Sequence, residues 1–207
     1  MPFIKKKDTE SVTQEDRKHT RECADLIANL ADSSATTRRW AARDLVNCPN
    51  AAVILVEQLK REPELSVREV ILSTLTHLGD AAAIEGLVDC LRSEDAALRN
   101  EAVEAMKQLP DEVAPMMQGL LTDPDPDVRI FTVNILESLC HPDVEAWLIE
   151  VISTDTHINV CATAVDLLTE VGTQAALAPL ALLKSRFSTD PYIQFAANLA
   201  LRRIRED

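Results

Sequence analysis

Asp123-Pro124-Asp125-Pro126-Asp127-Val128-Arg129-Ile130-Phe131-Thr132-Val133-Asn134-Ile135-Leu136 is the stretch whose reading decides the fold. Acids and prolines break the chain before Val128, and Asp123 is placed to cap the helix that follows. Counted from Arg129, small or apolar residues return at +3 (Thr132), +7 (Leu136) and +10 (Leu139), the 3.6-residue period of an amphipathic helix. The same phrase recurs around Thr37-Arg38, Val67-Arg68 and Leu98-Arg99, and in weaker form at Val160-Cys161 and Ile193-Gln194. The steps between copies are 30, 31, 30, 32 and 33 residues. Self-similarity at such a period marks a repeat array, and each copy predicts one helix.

Shorter amphipathic stretches alternate with these helices: Ala51 to Lys60, Ala81 to Leu91, Val144 to Ile152 and Gln174 to Leu183. Breakers stand at the joints, among them Pro49, Pro63, Pro110 and Pro142, with Gly79 and Gly172 as helix C-terminal caps. Asp155 and Asp190 are placed like Asp123 as caps, and Pro115 and Pro179 fall early in their helices, where a missing N–H costs least. The reading is all-α: six helix–turn–helix pairs over about 14–47, 48–78, 79–109, 110–139, 140–172 and 173–207. One pair cannot bury its apolar face alone, so the pairs stack into an α-solenoid. Residues 1–13 carry no periodic pattern and are expected to form a mobile tail; 14–207 form a single repeat domain.

Repeats of the Asp…Val-Arg…Ala…Ala-Leu type near 31 residues resemble HEAT repeats. Leu91-Arg92-Ser93-Glu94-Asp95-Ala96-Ala97-Leu98-Arg99 and Asp123 through Arg129 carry the match best, and they are similar to the short bacterial HEAT-like repeats of phycobilisome lyases. The resemblance spans nearly all of the chain beyond the tail. It implies a right-handed superhelix in which the second helix of each pair lines the concave, partner-binding side.

Composition narrows the class. Aromatics make up 3% of the 207 residues and there are four glycines, so the core is built from Leu, Ala, Val and Ile in helices rather than from turn-rich sheet. The net charge of −13 argues against general binding of nucleic acid or anionic membranes. That charge is uneven: residues 1–50 hold nine Lys/Arg and eight Asp/Glu, whereas 51–207 hold 12 and 26. Seven acids and no Lys or Arg lie between Arg129 and Lys184. No apolar run is long enough to span a bilayer, and no secretory signal follows Lys5-Lys6-Lys7. Five scattered cysteines, with Cys48 as the exposed and inert loop thiol, predict a reducing cytoplasm.

With +3, +4, +7 and +10 turned inward, +1, +5 and +8 look out. The candidate partner-binding residues are Arg39, Trp40, Arg43, Glu69, Asn100, Glu104, Asn134 and Asp166. Trp40 beside two arginines has the makings of an interface anchor, although its equivalence to Val70 and Phe131 equally fits a half-buried packing role. Arg38, Arg68, Arg99 and Arg129 form a ladder that is read as structural, pairing at i, i+4 with Glu64, Asp95 and Asp125 or with the next repeat. Cys161 and Gln194 interrupt it.

For catalysis the sequence offers little. No His-x₃-His or Cys-x₂-Cys occurs, so no metal site and no cofactor are expected, and no Gly-rich phosphate loop is possible. Glu69, Glu104 and Asp166 could in principle form an acid–base group across the groove, and a solvated face is the plainer reading. The expectation is a non-enzymatic, monomeric, acidic scaffold that binds a protein or peptide, as in a bacterial signalling or assembly complex. The resemblance adds as an alternative a bilin lyase-like or chaperone subunit acting on a tetrapyrrole protein, and a DNA groove is disfavoured because only the first repeat offers arginines.

Overall fold

The computed structural model describes residues 22–206, so the tail expected over 1–13 lies outside the described residues. Among these residues there are helices and turns and no β-strand. The helices are α1 (22–29), α2 (Ala35–Asp44), α3 (Ala51–Leu59), α4 (Leu65–Leu78), α5 (Ala81–Cys90), α6 (Ala96–Met106), α7 (Pro110–Val113), α8 (Met117–Leu121), α9 (Pro126–Leu136), α10 (Val144–Thr154), α11 (Ile158–Val171), α12 (Leu177–Arg186) and α13 (Pro191–Glu206). The fold is an all-α repeat array of the solenoid class. Two compact units divide after Gly86.

In the first unit α2 packs on α4, and α3 packs on α4. Gly79 ends α4 with φ 55°, the left-handed conformation that glycine adopts without a Cβ clash. Gly86 matters for a different reason. A Cβ there would collide with the methyls of Val56, so α5 and α3 approach as closely as they do only because position 86 has no side chain.

In the second unit the second helices form one series, α6 on α9, α9 on α11 and α11 on α13, while α8, α10 and α12 form the other. The buried side chains follow the period: Ala102, Val103, Met106 and Leu109 at +3, +4, +7 and +10 from Arg99, and Thr132, Val133, Leu136 and Leu139 from Arg129. At roughly 25 cal/mol per Å² of apolar surface, each fully buried Leu or Val contributes about 1.5–3 kcal/mol to this stacking.

Several local expectations are corrected. Pro115 does not open a continuous helix: Ala114–Met116 is a 3₁₀ turn that splits the fourth repeat's first helix into α7 and α8, because the ring removes a helical N–H and crowds the preceding turn. Gly172 terminates α11 in extended conformation, φ −70°, and not in the left-handed one. Asp190 caps α13 by accepting the Ile193 N–H at 2.8 Å. Asp123 and Asp155 instead accept the N–H two residues on, from Asp125 and His157, and so hold the turn ahead of the helix. The cap of α9 itself is Asp125, which accepts from Asp127.

Cysteine usage is the largest revision. Cys23 and Cys48 are joined in a disulfide that ties α1 to the segment after α2, and both are buried. Cys48 is therefore neither exposed nor a free thiol, and the argument from unpaired cysteines to a reducing cytoplasm no longer holds. Cys90 and Cys161 are buried and not disulfide-bonded, and Cys140 is exposed. No described helix is long and apolar enough to cross a membrane.

Candidate functional site

Three of the four ladder arginines, Arg38, Arg99 and Arg129, staple the loop ahead of their own helix. Arg129 Nη1 donates to the carbonyls of Asp123 and Pro124, and Arg38 and Arg99 repeat the bond on Asp32 and Ser33, and on Ser93 and Glu94. Each therefore clamps the turn inside its own repeat. A second bond crosses to the next repeat. Arg38 Nε and Nη2 donate to the two carboxylate oxygens of Glu62 at 2.9 and 2.7 Å, and Arg129 engages Asp155 in the same bidentate way at 2.7 and 3.1 Å. Of its two possible pairings Arg129 therefore takes the next repeat and not Asp125, and Arg38, which has no acid four residues before it, also pairs with the next repeat. Asp123 is engaged from a different direction, by Arg92.

These carboxylates are held below their ordinary range. For Glu62 and Asp155 burial pushes upward, but the arginine hydrogen bonds, the backbone N–H donors and, at Glu62, the Gln58 amide outweigh it. For Asp123 the Arg92 bond is the leading cause, acting against burial.

At the two interruptions the same job is done by other groups. Where Cys161 replaces the arginine, Arg186 comes from the following repeat and donates to the carbonyls of Asp155, Ser153 and Ile152. Gln194 uses its amide on the carbonyls of Lys184 and Phe187. Sequence reading saw both as breaks, because the replacement at Cys161 lies 25 residues away.

The proposed binding residues take the outward positions. Arg39, Trp40, Arg43, Glu69, Asn100, Glu104 and Asp166 are exposed, and Asn134 is half-buried. In the first unit Trp40 is 54% exposed. Its ring lies beneath Arg43, whose guanidinium carbon is 4.1 Å from the ring centroid, and Asp44 holds Arg43 there at 2.7 Å. Thr36, Arg39, Trp40, Arg43 and Val70 line a cavity of about 220 Å³. Arg39 makes no hydrogen bond or ion pair to any described residue. Val70, the equivalent of Trp40 one repeat on, shares the cavity wall with it, and about half of the indole stays in solvent.

In the second unit Glu104 and Glu137 share Lys107, at 3.2 and 3.1 Å, so one cation bridges α6 and α9. Asp166 accepts the Tyr192 hydroxyl at 2.6 Å, and that bond raises the Tyr192 pKa, with burial adding to it. Each of these carboxylates has its own partner, Glu104 in Lys107 and Asp166 in Tyr192. Among the described residues no three His, Cys, Asp or Glu side chains converge in a way that could hold a metal ion. A further cavity of about 220 Å³ is lined by Trp147 and Glu150 together with Asp123, Arg129 and Asp155, whose charges are already matched by arginine bonds.

The binding stripe as read from sequence omitted Tyr192. Its signal was available in the spacing Tyr192, Phe195, Leu199, three residues on one face of α13, of which the two aromatics are 51% and 67% exposed.

No curated protein matches the chain. Among solved structures, Cex1p aligns at 15% identity and TM-score 0.53, over 90% of this chain and 42% of its own, which shows a shared fold. The complex of CpcE and CpcF of phycocyanin lyase from Nostoc sp. PCC7120 aligns at 19% identity and TM-score 0.36, over 86% and 93% of the two chains. An engineered protein aligns at 22% identity and TM-score 0.41, over 89% and 97%. The family of HEAT repeats matches residues 23–107 and 113–202, and over most of its length, therefore, this chain belongs to the HEAT repeat family.

Proposed function

We propose that the chain is a non-catalytic interaction module, of the kind that serves in a bacterial signalling or assembly complex. HEAT repeats commonly act as protein-interaction scaffolds. The observation that carries the reading here is the uncovered Trp40, stacked under Arg43 beside Arg39 and above a small cavity. Aromatic and arginine side chains are the residues that dominate binding energy at protein interfaces. Preformed on two packed helices, they bind with little ordering cost. The partner offers an apolar side chain to Trp40 and Val70, with carboxylates for the two arginines.

The test is capture of partners from the native lysate by the full chain and by two variants, Trp40→Ala and the pair Arg39→Glu with Arg43→Glu. All three side chains are exposed, so the fold survives. Proteins retained by the wild type are expected to be lost from both variants, with affinity for a purified partner falling about tenfold or more. Identical retention by all three proteins overturns the assignment.

A further inference from the structure

We infer that Arg92 and Arg99 form a two-position latch on Asp123: Arg92 holds the carboxylate in this structure, and Arg99 is built to take it when Arg92 lets go. The inference concerns the joint between the third and fourth repeats and is independent of the Trp40 reading.

Two other rungs of the ladder show what Arg99 lacks. Arg38, Arg99 and Arg129 all turn Nη1 onto the carbonyls six and five residues before them. With Nη1 fixed on its own turn, a planar guanidinium offers the Nε–Nη2 edge to another acceptor. At Arg38 and Arg129 that edge holds Glu62 and Asp155, 24 and 26 residues on. The residue 24 places after Arg99 is Asp123. It is built like the other two acceptors, since all three carboxylates also take the backbone N–H two residues on, from Glu64, Asp125 and His157. Donor and acceptor are thus both prepared at this joint, yet Arg99 Nε is buried and meets no acceptor among the described residues. From the fourth repeat Arg99 faces the Phe131 ring, whose centroid is 5.7 Å from the guanidinium carbon, a contact that leaves Nε unbonded.

The sequence explains where the acceptor went. Seven residues before Arg38 and Arg129 stand Ala31 and Thr122, which cannot compete for a carboxylate; seven before Arg99 stands Arg92. Its Nη1 and Nη2 donate to the two oxygens of Asp123 at 3.0 and 2.5 Å. The nearby Arg129 is no rival, because its own edge is filled by Asp155. The two holders are unequal. The Arg92 side chain is 44% exposed, so water and dissolved anions compete for it, whereas Asp123 is buried and anchored on the Asp125 N–H. Returned to solvent, Arg92 loses little; a buried Nε–H that gains an acceptor gains more. Neither position parts the repeats. Arg92 ties Asp123 to the turn after α5, and Arg99 ties it to the first turn of α6. An acidic group that takes the exposed Arg92 from outside therefore changes which helix of the third repeat carries the fourth.

The experiment follows the Arg99 Nε–H by NMR in the full chain, in the wild type, in Arg92→Ala and in Arg92→Ala combined with Asp123→Asn. Freeing Asp123 by Arg92→Ala is expected to slow hydrogen exchange at Arg99 Nε about tenfold or more and to move its proton downfield. Adding Asp123→Asn is expected to abolish both changes. Urea unfolding supplies a second readout with Arg92→Ala, Arg99→Lys and the two together. A lysine keeps a cation for the turn carbonyls but has no second edge. Each single change leaves Asp123 one holder, so the midpoint of the double variant is expected to fall by more than the two single falls combined. Circular dichroism checks that every variant remains helical. An Arg99 signal that Arg92→Ala does not move overturns the latch. So does a change that persists when residue 123 is Asn, and so do additive midpoints.

Discussion

At Arg38 and Arg129 a single guanidinium does two jobs: it satisfies turn carbonyls that a helical hairpin leaves without partners, and it reaches a carboxylate of the next repeat. The substitution at Cys161 tests how much that matters. Arg186 occupies the position from the far side, and its second nitrogen lies 3.4 Å from the Cys161 sulfur. Arg186→Ala should destabilise the chain by about 1–2 kcal/mol, from the loss of charge-assisted bonds to backbone carbonyls. Cys161→Arg should be damaging in the wild type, where two guanidiniums would compete for one site, and much less so in the Arg186→Ala background. Urea unfolding of the four proteins in a double-mutant cycle reads this coupling, and additive effects would show that Arg186 does not replace the ladder arginine.

At the level of elements, the disulfide decides how the first repeat is held. The helix α1 is short, and Cys23 fastens it to Cys48 across 25 residues. Closing a loop of that length stabilises a fold by about 3 kcal/mol in the chain-entropy account. Cys48→Ser, or treatment with a reductant, is therefore expected to lower stability by that order and to loosen α1 first. Hydrogen exchange should report it as lost protection over 22–30, with α9 to α13 unchanged. Mass analysis after alkylation of the denatured, unreduced chain should find three modified cysteines, and five would mean that the pair is not bonded.

Across the whole molecule, the response to acid follows from Glu62, Asp123 and Asp155. All three are held below the ordinary carboxylate range in the folded chain. Their contribution is thus present above the unfolded pKa values of about 4 and is lost as pH falls through the lower folded values. Thermal unfolding should show a melting temperature that is flat near neutrality and declines steeply below about pH 4. Replacing Asp155 by Asn should lower the plateau by about 2 kcal/mol and make the decline shallower, because one of the titrating links is gone. An unchanged slope would mean that these pairs do not govern acid stability.

The order of the helices, the inward and outward positions and the repeat length were legible in the chain, because a 3.6-residue period and the residues that break it are properties of neighbours in sequence. The break at Pro115 that divides α7 from α8 was not. Arg39, Glu104 and Asp166 could be placed on the surface by counting alone. Counting could not find which carboxylate each arginine takes, which cysteine finds another, or that Arg186 replaces a residue at 161. Those links join groups some 24 to 33 residues apart, and they depend on how closely two packed helices bring flexible side chains together. The same holds for Trp40: the sequence gives it the repeat position of Val70, and only the packing of α2 on α4 brings the two together and leaves about half of the indole in solvent.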